Sequence, residues 1–370
     1  MPADVHAARR RSLLKRMRAE GVEAMLVTDE TNVTYLTGFT GDSSWLLASR
    51  GTTLLLSDGR YATQIQEECP GLDAHIRPTS EGLPKTAAAA VDKAVSKTGA
   101  AFGIEADSMT VAVLQSVGEA CKRASPKATG GLVEALRAVK DVGEVNAIRE
   151  AVAVAEAGFA YLRRRINPEA LEIDLSNDLE HVMRQFGAVG HAFAAIIGVE
   201  DRAALPHYTP GRVRVDSASH VLVDWGARMP SGYVSDVTRT MVARRPGKKL
   251  SKVYEAVREA NEAGIRAVRP GATGKEVDAA ARGVLERHGL AKWFSHSLGH
   301  GIGLKVHEAP GLRPTGGVPL EAGMVVTVEP GVYLPGQIGV RIEDDVLVTP
   351  DGRETLTSLP KDIDAFSDSL

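Results

Sequence analysis

The segment PEALEIDLSNDLEHVMRQFG (168–187) aligns without a gap on PGATGKEVDAAARGVLERHG (270–289). Pro168 matches Pro270, Leu175 matches Val277, Val182 matches Val284, Met183 matches Leu285 and Gly187 matches Gly289. The matched apolar positions recur at helical spacing and each copy ends on a glycine, so each predicts an amphipathic helix. Upstream, EAGF (156–159) recurs as EAGI (262–265), the first inside a helical pattern from about 141 to 165. Downstream, both copies run into strands. One reaches VDWG (223–226) and the other VEPG (328–331), each with an acid after a strand valine and a glycine two residues later. Two unrelated amphipathic helices would not share those acid positions. The reading is a duplicated helix–helix–strand–strand unit that forms one pseudo-symmetric domain.

Residues 1–130 have a different texture. A helical pattern near 7–20 leads to strand-like runs at 23–29, 34–39 (TYLTGF), 44–49, 52–58 and 101–106. Helical stretches follow DGRY (58–61) and occupy the alanine-rich region near 84–96. This is α/β patterning with its own core. The polar, glycine-containing SPKATGG (125–131) reads as a linker, which divides the chain into domains 1–130 and 131–370.

The 370 residues carry a net charge of −3, which gives no general attraction to nucleic acid. The short basic clusters at 8–16, 162–166 and 243–249 lie near acids and read as solvated faces. Cys69 and Cys121 have no CxxC partners, so neither a disulfide framework nor a thiolate metal site is supported. The N-terminus lacks an apolar signal core and no run approaches membrane-spanning length. The expectation is a soluble cytoplasmic protein without nucleic-acid or membrane partners.

Chemistry concentrates in the second domain. HVLVDWGARM (220–229) reads as a strand carrying Asp224, and GYVSDVTRTMV (232–242) as its hairpin partner carrying Asp236. Glu329 ends MVVTVEP, and Glu343 lies in GVRIEDDVLV. If the halves fold alike, a carboxylate pair from each meets between them. Four buried carboxylates do not all stay ionised without positive charge, which two divalent cations would supply. The histidine-rich SHSLGHGIGLKVHEAP (295–310) is neither a zincin helix, since position 311 is glycine in HEAPG, nor a GxGxxG loop, since position 304 is leucine. It reads as an extended strand whose glycines permit close approach. PGATGKE (270–276) is too short for a phosphate loop, and GxSxG is absent.

In this order, LPHYTP (205–210), VDWGARMPSGYVSDVTRT (223–240), HSLGHGIGLKVHEAP (296–310), VEPGVY (328–333) and GVRIEDD (339–345) resemble the pita-bread metallopeptidases: aminopeptidase P, prolidase and methionine aminopeptidase. NVTYLTGFTGDSSWLL (32–47) and SDGRYATQ (57–64) look like the extra domain of aminopeptidase P and prolidase, which methionine aminopeptidases generally lack. The resemblance covers nearly the whole chain. It implies a creatinase-like α/β N-terminal domain and an α+β pita-bread catalytic domain with internal pseudo-twofold duplication.

By motif, the resemblance implies a dinuclear metal site of Asp224, Asp236, His300, Glu329 and Glu343, with Asp236 and Glu343 bridging, Asp224 on one ion, and His300 and Glu329 on the other. Sequence alone does not choose Glu343 over Asp344 or Asp345; the motif does. Four oxygen donors and one imidazole suit Mn²⁺, Co²⁺, Fe²⁺ or Zn²⁺, with Mn²⁺ expected from the family. Glu329 is similar to the family's proton shuttle. His207 and His307 look like the histidines that contact substrate and stabilise its oxyanion, and His296 lines the same pocket. Tyr333 and Arg341 match positions that orient a ligand carboxylate.

The implied activity is cleavage of Xaa-Pro bonds in short proline-containing peptides by a homodimer. An Xaa-Pro aminopeptidase is the first reading and a prolidase acting on dipeptides the alternative. Prolidases commonly carry an arginine shortly after the motif's last histidine, where this chain has Gly311 and then Arg313. A metal-free creatinase-like or binding homologue is the remote reading, set against five filled ligand positions. One departure stands out. The turn RMPSG (228–232) is a residue longer than usual, and a register slip there would turn Asp236 to the wrong face.

Overall fold

A computed structural model describes residues 3–368 and Leu370. The chain divides into two compact units, Met1–Arg137 and Ala138–Leu370. No described helix is long and apolar enough to cross a membrane.

The first unit is built on a six-stranded sheet in the order Asp73–Arg77, Thr53–Asp58, Trp45–Ser49, Ala24–Val27, Ala100–Glu105, Ala124–Thr129. The strands around Trp45–Ser49 pair antiparallel, and the outer pairs run parallel. Leu26, Leu47, Leu56 and Phe102 pack with Val91 of the alanine-rich helix Leu83–Ala94 and Val117 of Val111–Ala120 in one core.

Two sequence expectations fail here. TYLTGF is no strand, because its first residues belong to the helix Glu30–Thr37. The Asp29 side chain caps that helix on the Asn32 N–H, and Gly38 ends it in the left-handed region. Two good caps outweigh the β-branched and aromatic composition that suggested a strand. The expected linker is instead the edge strand Ala124–Thr129, paired parallel with Ala100–Glu105. Pro126 is tolerated because an edge strand need not donate on both sides.

In the second unit the duplicated sequence becomes two helix pairs, Val142–Leu162 with Glu172–Gln185, and Lys248–Ala267 with Gly274–Arg287. The matched Gly187 and Gly289 both lie just past the second helices at positive φ. Each half also has an antiparallel sheet. One runs Val237–Val242, His220–Trp225, Ile196–Val199. The other runs Glu308–Leu312, Gly299–Gly301, Val325–Val328, Asp344–Thr349, Gly352–Thr355. The halves meet where the Glu343 N–H donates to Thr238 O (3.1 Å) and the Thr240 hydroxyl donates to Arg341 O (3.0 Å).

Strand alternation sorts the neighbours Asp224 and Trp225 to opposite faces. Trp225 is fully buried and stacked on Phe159 (ring centroids 4.6 Å, interplanar 14°), and its indole N–H donates to Ala155 O. Phe366 meets Phe159 edge-on at 5.2 Å. Phe159 therefore holds the strand that presents Asp224. Truncation as Phe159→Ala is expected to cost about 3–5 kcal/mol. It should lower the unfolding midpoint of the second unit, measured by denaturant titration; an unchanged midpoint would contradict this packing.

Candidate metal centre and its pocket

The hairpin keeps its register despite the long turn. Pairing runs from Asp224↔Thr238 to the bridge Arg228↔Val234, and the extra residue is absorbed at the tip, where the Met229 N–H donates to Tyr233 O. Asp236, two residues before Thr238, therefore shares the face of Asp224. From the other half, Glu329 follows Val325–Val328 and Glu343 immediately precedes Asp344–Thr349. The histidine stretch is not one extended run: it forms the short strand Gly299–Gly301 and the start of Glu308–Leu312, with bends between them. A Cβ on Gly299 would stand 2.0 Å from Thr327 O, so glycine is what lets this strand lie against its neighbour. The His300 N–H then reaches Thr327 Oγ1 at 3.1 Å.

The donor atoms of Asp236, His300 and Glu343 lie within 4.8 Å of one another. His300 Nε2 stands 3.3 Å from Glu329 Oε1 and 3.7 Å from Asp236 Oδ2. Its Nδ1 faces Gly301 O at 3.1 Å. A carbonyl only accepts, so Nδ1 carries the proton and Nε2 is presented to the carboxylates. The Thr238 hydroxyl donates to Glu343 Oε2 (2.6 Å) and accepts from Arg341 Nε (3.0 Å). Arg341 also donates to Asp224 Oδ2 (2.5 Å) and to the Tyr333 hydroxyl (2.7 Å). That hydroxyl lies 2.9 Å from His296 Nε2.

All five acids and histidines implied as ligands line one cavity of about 530 Å³, together with His207, His296, His307 and Arg341. Tyr333 is not on its wall and lies behind, between Arg341 and His296. The His300 and His307 rings are 4.2 Å apart. Phe193, Ile196, Pro206, Pro210 and Val306 supply an apolar wall.

Burial, reinforced by mutual repulsion, pushes the Asp236 and Glu343 carboxyls well above their ordinary range. Burial also raises Asp224, against the opposing charge of Arg341. Burial would raise Glu329 too, but the His300 hydrogen bond and the charges of His300, His296 and Arg341 outweigh it and hold Glu329 low. Burial would lower His300, but the Glu329 hydrogen bond and charge, together with the Gly301 carbonyl and Asp345, more than reverse that. Asp224 Oδ1 is buried and lacks a hydrogen-bond partner among the described residues. An orphaned carboxylate oxygen, clustered carboxylates and one imidazole make a donor set that fits divalent cations.

The acidic run Glu343-Asp344-Asp345 splits three ways. Glu343 enters the cavity, Asp344 pairs with Arg239 and Lys361, and Asp345 Oδ2 accepts the Asp236 N–H (3.2 Å). Burial pushes Asp345 up to about 8. Sequence reasoning missed Thr238 and Thr327 as supports of Glu343 and His300. Period-two spacing from Asp236 could have flagged Thr238; nothing local flagged Thr327.

Residues 146–350 match metallopeptidase family M24, and residues 9–139 match the creatinase/prolidase N-terminal domain. Peptidase YqhT of Bacillus subtilis (strain 168) is 36% identical over 343 residues, covering 93% of this chain and 96% of its own. Among solved structures, an Xaa-Pro dipeptidase from Bacillus anthracis superposes with a TM-score of 0.92 at 35% identity, covering 97% of this chain and 99% of that one. An X-Pro aminopeptidase from Thermotoga maritima MSB8 gives 0.84 at 31% identity, covering 94% and 99%. This chain belongs to metallopeptidase family M24, with a creatinase-type N-terminal domain followed in sequence by a domain of the pita-bread fold.

The charge imbalance gives a direct test. Adding Mn²⁺ to chelated protein is expected to raise the melting temperature, because the cation binds the folded state selectively. Asp236→Asn relieves repulsion and is expected to raise the melting temperature of the chelated protein while abolishing most of the Mn²⁺-induced rise. A full rise in that variant, read by differential scanning calorimetry, would remove Asp236 from the site.

Proposed function

We propose that this enzyme hydrolyses the peptide bond preceding proline in short peptides, releasing the N-terminal residue. The carrying observation is the juxtaposition, in one cavity, of the carboxylate–histidine cluster with His207, His296 and His307 and an apolar wall able to receive a pyrrolidine ring. Asp224, Asp236, His300, Glu329 and Glu343 would hold two divalent cations, Mn²⁺ first among Mn²⁺, Co²⁺, Fe²⁺ and Zn²⁺. When bound, these polarise the scissile carbonyl and lower the pKa of water.

The chain's own groups do the rest. Glu329 takes one proton as a water oxygen adds to the carbonyl carbon. His207 and His307 face the developing oxyanion. Burial lowers His307, so it acts as a neutral hydrogen-bond donor. Glu329 then delivers its proton to the proline nitrogen as the C–N bond breaks, and the second proton of the water passes from the new carboxyl group to the amine, leaving a carboxylate and a secondary ammonium. Arg341 and Tyr333 orient Asp224 and His296, and through them the pocket wall.

A dipeptidase acting on Xaa-Pro dipeptides is the second reading, favoured by the likeness to the Bacillus anthracis Xaa-Pro dipeptidase. Gly311, in place of an arginine after the last histidine of the motif, supports the aminopeptidase. We also propose a homodimer in the cytoplasm, supported by the family resemblance and by two free cysteines, Cys69 and Cys121.

Steady-state rates on Ala-Pro and Ala-Pro-Ala decide between the two readings, and much faster dipeptide cleavage would overturn the first. His300→Ala is expected to abolish activity with the fold retained. His307→Ala is expected to lower kcat by roughly 10²–10³-fold. A wild-type rate for either variant would remove that residue from the mechanism.

A further inference from the structure

On the far side of the Glu343–Asp345 backbone, away from the cavity, lies a second buried charge cluster. Arg239 follows Thr238 in its strand, so its side chain leaves the opposite face. It is fully buried, and each of its five N–H groups meets an acceptor. Nε donates to Pro360 O (3.2 Å). Nη1 donates to Thr238 O (2.9 Å) and Glu343 O (2.6 Å). Nη2 donates to Asp344 Oδ1 (2.8 Å) and Leu359 O (2.7 Å).

The Thr357 hydroxyl also donates to Asp344 Oδ1 (2.6 Å), and Lys361 Nζ donates to Oδ2 (3.0 Å). Lys361 Nζ also donates to Asn261 Oδ1 (2.9 Å). The Asn261 amide in turn donates to Val328 O (2.9 Å) and Ile342 O (3.2 Å).

The gripped carbonyls are not scattered. Val328 precedes Glu329, Ile342 precedes Glu343, Glu343 is itself held, and Thr238 carries the hydroxyl that binds the Glu343 carboxylate. A buried ion pair roughly breaks even against an apolar replacement of the same shape, so stability alone is a weak reason for such a cluster. A fully satisfied network does fix geometry, and groups behind metal ligands set how well the ligands are aimed.

We infer that Arg239, Asp344, Lys361 and Asn261 form a positioning network for cation binding, and that the segment 357–361 is thereby part of how the site is built. The inference rests on the proposed ligand set. Lys361 is the residue to change, because its side chain is 23% exposed and its loss leaves Asp344 paired with Arg239 and Thr357.

Mn²⁺ dissociation constants would be measured on full-length protein by competition with a chelator. Lys361→Met is expected to weaken Mn²⁺ binding by about 10-fold or more, and Lys361→Arg to restore most of it. Leu179→Ala, a core truncation away from the network, is the destabilised control and should bind Mn²⁺ as the wild type does. Wild-type affinity in Lys361→Met, with binding lost in Asp236→Asn, would overturn the network's role and leave the ligand set standing. Wild-type affinity in Asp236→Asn would show that the ligand set itself is wrong, and the inference would fall with it.

Discussion

Asp224, Asp236, Glu329 and Glu343 share one cavity with Arg341 and His300, and this excess of negative charge sets the terms for the structure around it. Carboxylates pressed together out of water resist ionisation. The protein answers unevenly. Glu329 is held charged by His300, while burial and mutual repulsion push Asp236 and Glu343 up. The surroundings are correspondingly rich in hydrogen bonds. Arg341 and Thr238 fix the carboxylates from the sides, and the Arg239 network grips the backbone from behind.

The duplicated fold is what can concentrate charge in this way. Each half brings two acids to the end of an antiparallel sheet, and each sheet is backed by a helix pair that buries enough apolar surface to hold the strands in place. Trp225 and Asp224 show the division of labour within two residues, one anchored in the core by Phe159 and one turned to the cavity. The halves are not copies in detail. Asp224 lies within its strand, whereas Glu329 lies just past the end of its own. The histidine strand has a bulge after His300.

Much of this was legible in the chain. The helices of the repeat, the strand bearing Asp224, the partner strand that Asp236 immediately precedes and the motif order could be read because periodicity is a local property. TYLTGF and SPKATGG were misread for the same reason. Composition over a few residues favoured strand and linker, while the Asp29 and Gly38 caps in one case and pairing with Ala100–Glu105 in the other decided the outcome. The supports of the site were hardest to see. Thr327 and Asn261 act across more than twenty-five residues of chain and leave no local signature.

The sequence by itself determined which residue types would be available and on which strand faces they would lie, because side-chain alternation and helical repeat need no long-range information. It could not apportion the three consecutive acids. Glu343, Asp344 and Asp345 are equivalent as a string, and they became a cavity carboxylate, a partner of Arg239 and Lys361, and an acceptor for the Asp236 backbone. That assignment belongs to the tertiary structure, since it depends on which distant segment lies against each face once the two halves have closed on one another.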